Sequence, residues 1–215
     1  LSAVAVLPRM LGTLFYYSPT SEEAGGVISE LAELPALLDW QNPSLIEEAT
    51  ARLCSVDIAE LPYQFSLLFE GQGSMPAPPW GSVYLDRENL LLGETAQAYR
   101  QFLRANDVEL DTDLNEPEDQ FGLMILAMAY FMETENDDAV VELLGSHLLP
   151  WSGRYLELLS EADESGFYRA LAVVIPIPFL NYEITAHERE HRLFNRPTSE
   201  SNSFHASQHL LIISS

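Results

Sequence analysis

No lysine occurs anywhere in this chain: all ten basic residues are arginine, set against 33 aspartates and glutamates, for a net charge of −23. A surface so short of positive charge repels phosphate backbones and anionic lipid, which argues against nucleic-acid and membrane-surface binding. A cationic partner is its natural complement, although solubility alone would also account for the acidity. Cysteine is nearly absent as well. The single Cys54 rules out an intramolecular disulfide, points to a reducing compartment, and reads as a small core residue on a helix. Long hydrophobic runs are missing. The longest, from Phe121 to Met132, spans twelve residues between acids, short of the roughly 18 needed to cross a bilayer, so it predicts a core helix. Arg9 is followed by polar and aromatic residues instead of a short apolar stretch with a cleavage site, so no signal peptide and a cytoplasmic location are expected.

What is present is a 47% apolar fraction, ample for a buried core in a chain of this length. Helical periodicity dominates and strand alternation is nearly absent, which predicts an all-α fold. Leu7, Met10, Leu11, Leu14 and Phe15 predict a first helix ending near Ser18-Pro19. Ser44-Leu-Ile-Glu47 has the form of a capping box, opening a helix that carries Leu45, Ala49, Leu53 and Val56 inward. Asp57-Ile-Ala-Glu60 has the same form before Leu61, Phe65, Leu68 and Phe69, and Gly71 suits the end of that helix. Prolines and glycines from 71 to 93 predict an ordered, non-helical segment around Trp80 and Tyr84. Helices follow from Thr95, from Phe121, at 138 to 149, at 151 to 160 and from Gly166 to Val174, with an acidic connection over 106 to 119. Short connections favour antiparallel neighbours in a bundle. Ile175-Pro-Ile-Pro178 then interrupts helix. The division expected is a helical domain over 1–174 and a weakly structured tail over 175–215, with one short helix near Thr185 to Phe194.

Two constellations stand out. Asn115-Glu-Pro-Glu-Asp-Gln120 precedes the most apolar helix. It reads as a helix start, with Asn115 as cap and Pro117 in the first turn. It also reads as an acidic anchor, in which Glu116, Glu118 and Asp119 offer acceptors to guanidinium groups. Paired carboxylates for glycosidic acid–base chemistry fit the same letters less well. In the second, Trp80 and Tyr84 on a proline-stiffened segment could line a groove for an apolar peptide with Asp86 and Glu88 at its rim, or plug the core under a loop. His147 has no companion at metal-ligand spacing. His187-Glu-Arg-Glu-His191 matches the zinc-hydrolase pattern letter for letter, but its setting is polar and no third ligand follows at a sensible distance. No nucleophile–histidine arrangement argues for catalysis, and Gly81 and Gly93 lack the Lys-Ser/Thr of a phosphate loop.

Taken in order, five segments resemble the TorD/DmsD family of redox-enzyme maturation chaperones, the dimethyl-sulfoxide-reductase branch most closely. They are Met10-Leu-Gly-Thr-Leu-Phe-Tyr-Tyr17, Pro78-Pro-Trp-Gly-Ser-Val-Tyr-Leu-Asp-Arg-Glu88, Glu116-Pro-Glu-Asp119, His147-Leu-Leu-Pro-Trp-Ser152 and Phe167-Tyr-Arg-Ala-Leu171. The resemblance covers roughly residues 5 to 174 and implies an all-helical fold, a cytoplasmic location, no cofactor and no enzymatic activity. It implies a twin-arginine signal peptide as ligand, carried by the precursor of a molybdopterin-dependent reductase, with the Tat translocase as a further partner. Trp80, Tyr84, Asp86, Glu116, Pro117, Asp119 and Gln120 are the signal-peptide-binding residues so implied. Two departures are visible: Gln120 stands where the family motif usually closes with histidine, and the Pro176/Pro178 segment replaces the family's further helix. The rival readings are a generic acidic adaptor for another cationic partner and a metal-dependent hydrolase using His187 and His191.

Overall fold

The computed structural model describes residues 5–71, 74–86, 93–110, 116–175 and 212–214, the last as backbone. Its helices are α1 (Val6–Tyr16), α2 (Glu22–Ser29), a 3-10 turn (Leu31–Ala36), α3 (Pro43–Ser55), α4 (Leu61–Phe69), α5 (Gly81–Leu85) and α6 (Glu94–Ala105). After strand β1 (Val108–Leu110) come α7 (Phe121–Glu133), α8 (Asp137–Glu142), a π-helical turn (Leu143–Leu148), α9 (Leu149–Ala162), α10 (Phe167–Val174) and strand β2 (Ile212–Ser214). The all-α expectation holds. The only departure among the described residues is a three-residue antiparallel pairing of β1 with β2, Glu109 opposite Ile213.

The described residues fall into two compact units, each drawn from segments distant in sequence. The first takes α1, α5 to α8, the π turn and α9 as far as Arg154; the second takes α2 to α4, the rest of α9 and α10. In the first, α7 is the central rod, buried on nearly every face as its sequence demands. Helix α1 lies against it at glycine contacts. A Cβ on Gly122 would fall 2.8 Å from the Phe15 carbonyl carbon and the Tyr16 nitrogen, and one on Gly12 would fall 2.7 Å from Leu126 Cγ. Arg9 forms a two-pronged, largely buried ion pair with Glu133, its Nε donating at 2.8 Å. Gln120 joins the two helices at their other end. Its Oε1 accepts from the Leu123 amide at 2.9 Å, capping α7, while its Nε2 donates to the Phe15 carbonyl at 3.0 Å. The cap of this helix is therefore Gln120, five positions beyond the Asn115 that the sequence offers, and Pro117 lies in the turn before the helix and not in its first turn.

In the second unit α10 packs on α3, and Asp163 organises their junction. Asp163 Oδ2 accepts from the Arg169 amide at 2.9 Å, and Oδ1 from the Ser165 amide and hydroxyl. Arg52 donates to the Ser165 carbonyl at 3.0 Å. Helix α4 buries Leu61, Phe65, Leu68 and Phe69 as expected and is followed by Gly71 at φ +69°. Three expectations need correction. Helix α3 is capped by Asn42, whose Oδ1 accepts from Leu45, because Pro43 suits the first helical position and starts the helix before Ser44. That register buries Ile46, Ala49, Thr50 and Leu53 and leaves Leu45 40% exposed. Cys54, just past this stripe, is exposed and not a core residue. Asp57 bonds the Ala59 amide in a local turn instead of closing a box with Glu60.

The helices expected at 138–149 and 151–160 form one unbroken helical run from Asp137 to Ala162. Pro150 has no N–H to give the carbonyl one turn back, and the register slips there: the Leu149 amide bonds Leu144, five residues earlier. The His147 carbonyl accepts from the Trp151 indole at 2.8 Å. The short helix expected near Thr185 to Phe194, the pair His187 and His191, Glu88 and Asn115 lie outside the described residues.

Candidate functional site

The site is built where two segments of the first unit meet. Pro78 and Pro79 hold the chain extended into Trp80, whose backbone (φ −111°, ψ 130°) leads into α5. Helix α5 corrects the non-helical expectation for this segment: the paired prolines end before Trp80, and Tyr84 is helical. It has no capping side chain of its own; Asp119 supplies one from the acidic motif. Asp119 Oδ2 accepts from the Ser82 amide at 2.7 Å, and its carbonyl accepts from Gly81 at 3.1 Å. The Phe121 amide returns a bond to Pro79 at 2.7 Å, and Trp80 bridges antiparallel to Gln120. A short backbone ladder thus fastens the Trp80 segment to the acidic motif. The Trp80 indole N–H donates to Glu116 Oε1 at 2.5 Å. Glu118 is held by both prongs of Arg100 at 2.7 and 2.6 Å.

The three acids therefore differ in what is left to them. Burial pushes the Glu116 carboxyl up from its ordinary value, against the indole bond and with the neighbouring Asp119 charge adding to the rise. Burial likewise raises Asp119, against the pull of the Ser82 amide. For Glu118 burial acts upward too, but Arg100 outweighs it and holds the group below its usual range. Arginine ligands from outside would meet Glu118 already neutralised, whereas Glu116 and Asp119 accept from neutral donors, the Trp80 indole and the Ser82 amide.

Trp80, Glu116, Pro117, Asp119 and Gln120 come together, Pro117 through its carbonyl, which accepts the Gln120 amide at 3.1 Å. Tyr84 and Asp86 have other attachments. The Tyr84 ring stacks on Trp151 at 5.4 Å, and burial pushes its phenol up to about 12, with Arg154 pulling the other way. Trp151 is 2% exposed, stands edge-on to Phe121 at 5.9 Å, and would lie 2.8 Å from a Cβ on Gly81. It is the plug beneath the segment. Asp86 Oδ1 accepts from the Thr95 amide at 3.2 Å, serving the first turn of α6. A Cβ on Gly93 would sit 1.9 Å from the other Asp86 oxygen, so any larger residue there would displace the Asp86 carboxylate. Sequence reasoning missed Arg100 as the partner of Glu118 and the Ser82 amide as the partner of Asp119. Nothing local marks either, since the pairs lie 18 and 37 residues apart. Among the described residues no cluster of three or more His, Cys, Asp or Glu side chains could hold a metal ion, and no helix is long and apolar enough to cross a membrane.

Comparison with known proteins identifies the family. The nitrate reductase delta subunit family model matches residues 31–157, and the chain belongs to that family. Within it, the chain is 39% identical over 172 residues to the Tat proofreading chaperone DmsD of Salmonella typhimurium, covering 78% of this chain and 82% of that one. It is 30% identical over 190 residues to the probable Tat proofreading chaperone DmsD of Haemophilus influenzae, covering 87% and 93%. The chaperone protein TorD of Aliivibrio fischeri is 30% identical over 176 residues, covering 76% and 81%. The chain is a member of the TorD/DmsD group of redox-enzyme maturation chaperones. A crystal structure assigned as a redox enzyme maturation protein from Archaeoglobus fulgidus shares the fold, with a TM-score of 0.50 at 18% identity over 82% of this chain and 91% of that one.

Proposed function

We propose that this chain is a Tat proofreading chaperone that binds the twin-arginine signal peptide of a molybdenum-containing reductase precursor, of the dimethyl-sulfoxide-reductase kind. It acts in the cytoplasm, assisting cofactor insertion and delaying export until the Tat translocase can receive a finished client. On this reading it is a binding protein and not an enzyme. One observation supports it above the others: a partly exposed indole and two carboxylates bonded to neutral donors are fastened to one backbone ladder, in a chain of net charge −23. An indole face takes apolar side chains, and carboxylates in a half-buried setting take guanidinium forks. That pairing matches a peptide with two arginines followed by an apolar stretch.

Titration of the full chain with a twin-arginine peptide and its Lys-Lys variant tests the reading. The arginine peptide is expected to bind at least tenfold more tightly, as planar forks exceed point charges at carboxylates by about 1.4 kcal/mol or more. Equal affinities would replace it with a generic acidic adaptor. Co-purification with the precursor would name the client.

A further inference from the structure

Beneath the Trp80 segment lies a cavity of about 100 Å³, lined among others by Ser82, Thr95, Tyr99, Asp119, Met124 and His147. Its polar atoms are unusual for a helical core. The Tyr99 hydroxyl, Thr95 Oγ1, Ser82 Oγ and Asp119 Oδ1 are buried without a hydrogen-bond partner, and Tyr99 and Asp119 are only 1% and 3% exposed. Such groups cost stability wherever they are left unserved, so a native fold that keeps four of them around one space has something for them to bind. The π turn contributes to this geometry. It brings the His147 ring to 5.3 Å from Tyr99 and 4.9 Å from Phe102, closing the cavity on the side facing α6, and such turns concentrate at functional positions.

We propose that this cavity is a guanidinium site: it takes the head group of one arginine, with Asp119 as the charged acceptor and Tyr99, Thr95 and His147 as neutral ones. The inference rests on the signal-peptide reading only for which molecule carries that arginine. Asp119 excludes an anion, and the unserved oxygens exclude a purely apolar ligand. The acceptors come from α6, the π turn and the acidic motif, thus from several directions, and a planar group with five N–H donors meets them better than a compact ammonium with three. A neutral imidazole can accept one of those bonds, and burial holds His147 below its usual value. Glu118 already has Arg100, so the second arginine of a pair finds its place outside this cavity, at Glu116 beside Trp80. The two arginines of such a ligand are then unequal.

The full chain labelled with ¹³C at its methionine methyls tests this, because Met124 lines the cavity. Methylguanidinium is expected to shift the Met124 resonance saturably, and methylammonium to bind at least about tenfold more weakly. Tyr99→Phe and Thr95→Val should each weaken methylguanidinium about tenfold and leave the melting temperature unchanged or raised. In twin-arginine peptides, Arg→Lys at one position should lose affinity in the wild type but not in Tyr99→Phe, while the other position behaves alike in both. A cavity holding water only would give no Met124 shift with either cation, or equal shifts, with both variants binding peptide as the wild type does; that overturns the proposal and leaves the signal-peptide reading intact. Methylguanidinium binding with no peptide binding would uphold the cavity and overturn the signal-peptide reading instead.

Discussion

Gln120 shows what one side chain can decide. It accepts and donates at once, to Leu123 and Phe15, so it needs a group with both capacities and no titration. In Gln120→His the neutral imidazole can supply the same two bonds, but the imidazolium has no acceptor for the Leu123 amide. The folded state then prefers the neutral ring, its pKa falls below about 6.5, and stability present above that value is lost as pH drops through the depressed pKa. Thermal melts at pH 8 and pH 5.5 should show the variant near wild type at the first and well below it at the second, with no comparable gap for the parent. The acids predict a second pH effect. Glu116 and Asp119 sit above their ordinary values, so a cationic peptide must compete with protons earlier than at a surface carboxylate. Peptide affinity should start to fall on the alkaline side of the normal carboxylate range, which titrations between pH 7.5 and 5 would detect. Asp119→Asn with Glu116→Gln should cut peptide affinity at least tenfold at pH 7 while keeping the α5 cap through the amide oxygen. Glu118→Gln should leave it nearly unchanged. The acidic motif was legible in the sequence as a cluster. Which of its acids already had a partner was not, because Arg100 and the Ser82 amide reach it from other helices.

At the scale of elements, the local patterns that succeeded were those with a clear periodic face. Helix α4 buries the four residues its spacing selects, and α7 is buried from Phe121 to Ala129 without a break. Helix α2 and the 3-10 turn carry weaker signals, Gly25 and Gly26 in one and Pro35 in the other, and the sequence reading passed over them. The π turn at Leu143–Leu148 has no local signature: Pro150 suggests a stop, whereas the helix runs on through it, the Leu149 amide reaching back to Leu144. The contact between α1 and α7 predicts a sharp size limit. Gly122→Ala drives a Cβ into the Phe15–Tyr16 backbone, which cannot rotate away as a side chain could, and should cost about 1–3 kcal/mol in denaturant melts. Gly153→Ala, whose Cβ would meet nothing within 4 Å, is the control and should be neutral or slightly stabilising.

For the whole molecule, net charge and chain ends carry the predictions. A cation held by a field of −23 should bind more weakly as salt rises, and association rates should fall more than dissociation rates rise. A chain ending at Val174 is expected to fold and bind peptide, since every residue of the candidate site lies upstream. It would, however, lose the partner of β1. Hydrogen exchange at Val108–Leu110 should therefore quicken in the shortened chain while α7 stays protected. Aggregation of that chain would instead make the tail part of the fold.

The bond from Gln120 to Phe15 joins groups 105 residues apart, and this has a consequence during synthesis. At about 5–20 residues per second, α1 leaves the ribosome roughly 5–20 s before the helix that covers it exists. Through that interval Leu7, Met10, Leu11, Leu14 and Phe15, all buried in the finished protein, face water. A member of a chaperone family thus begins as a chain whose own helix α1 needs shelter, and ribosome-bound fragments halted before Phe121 should be the ones captured by general chaperones.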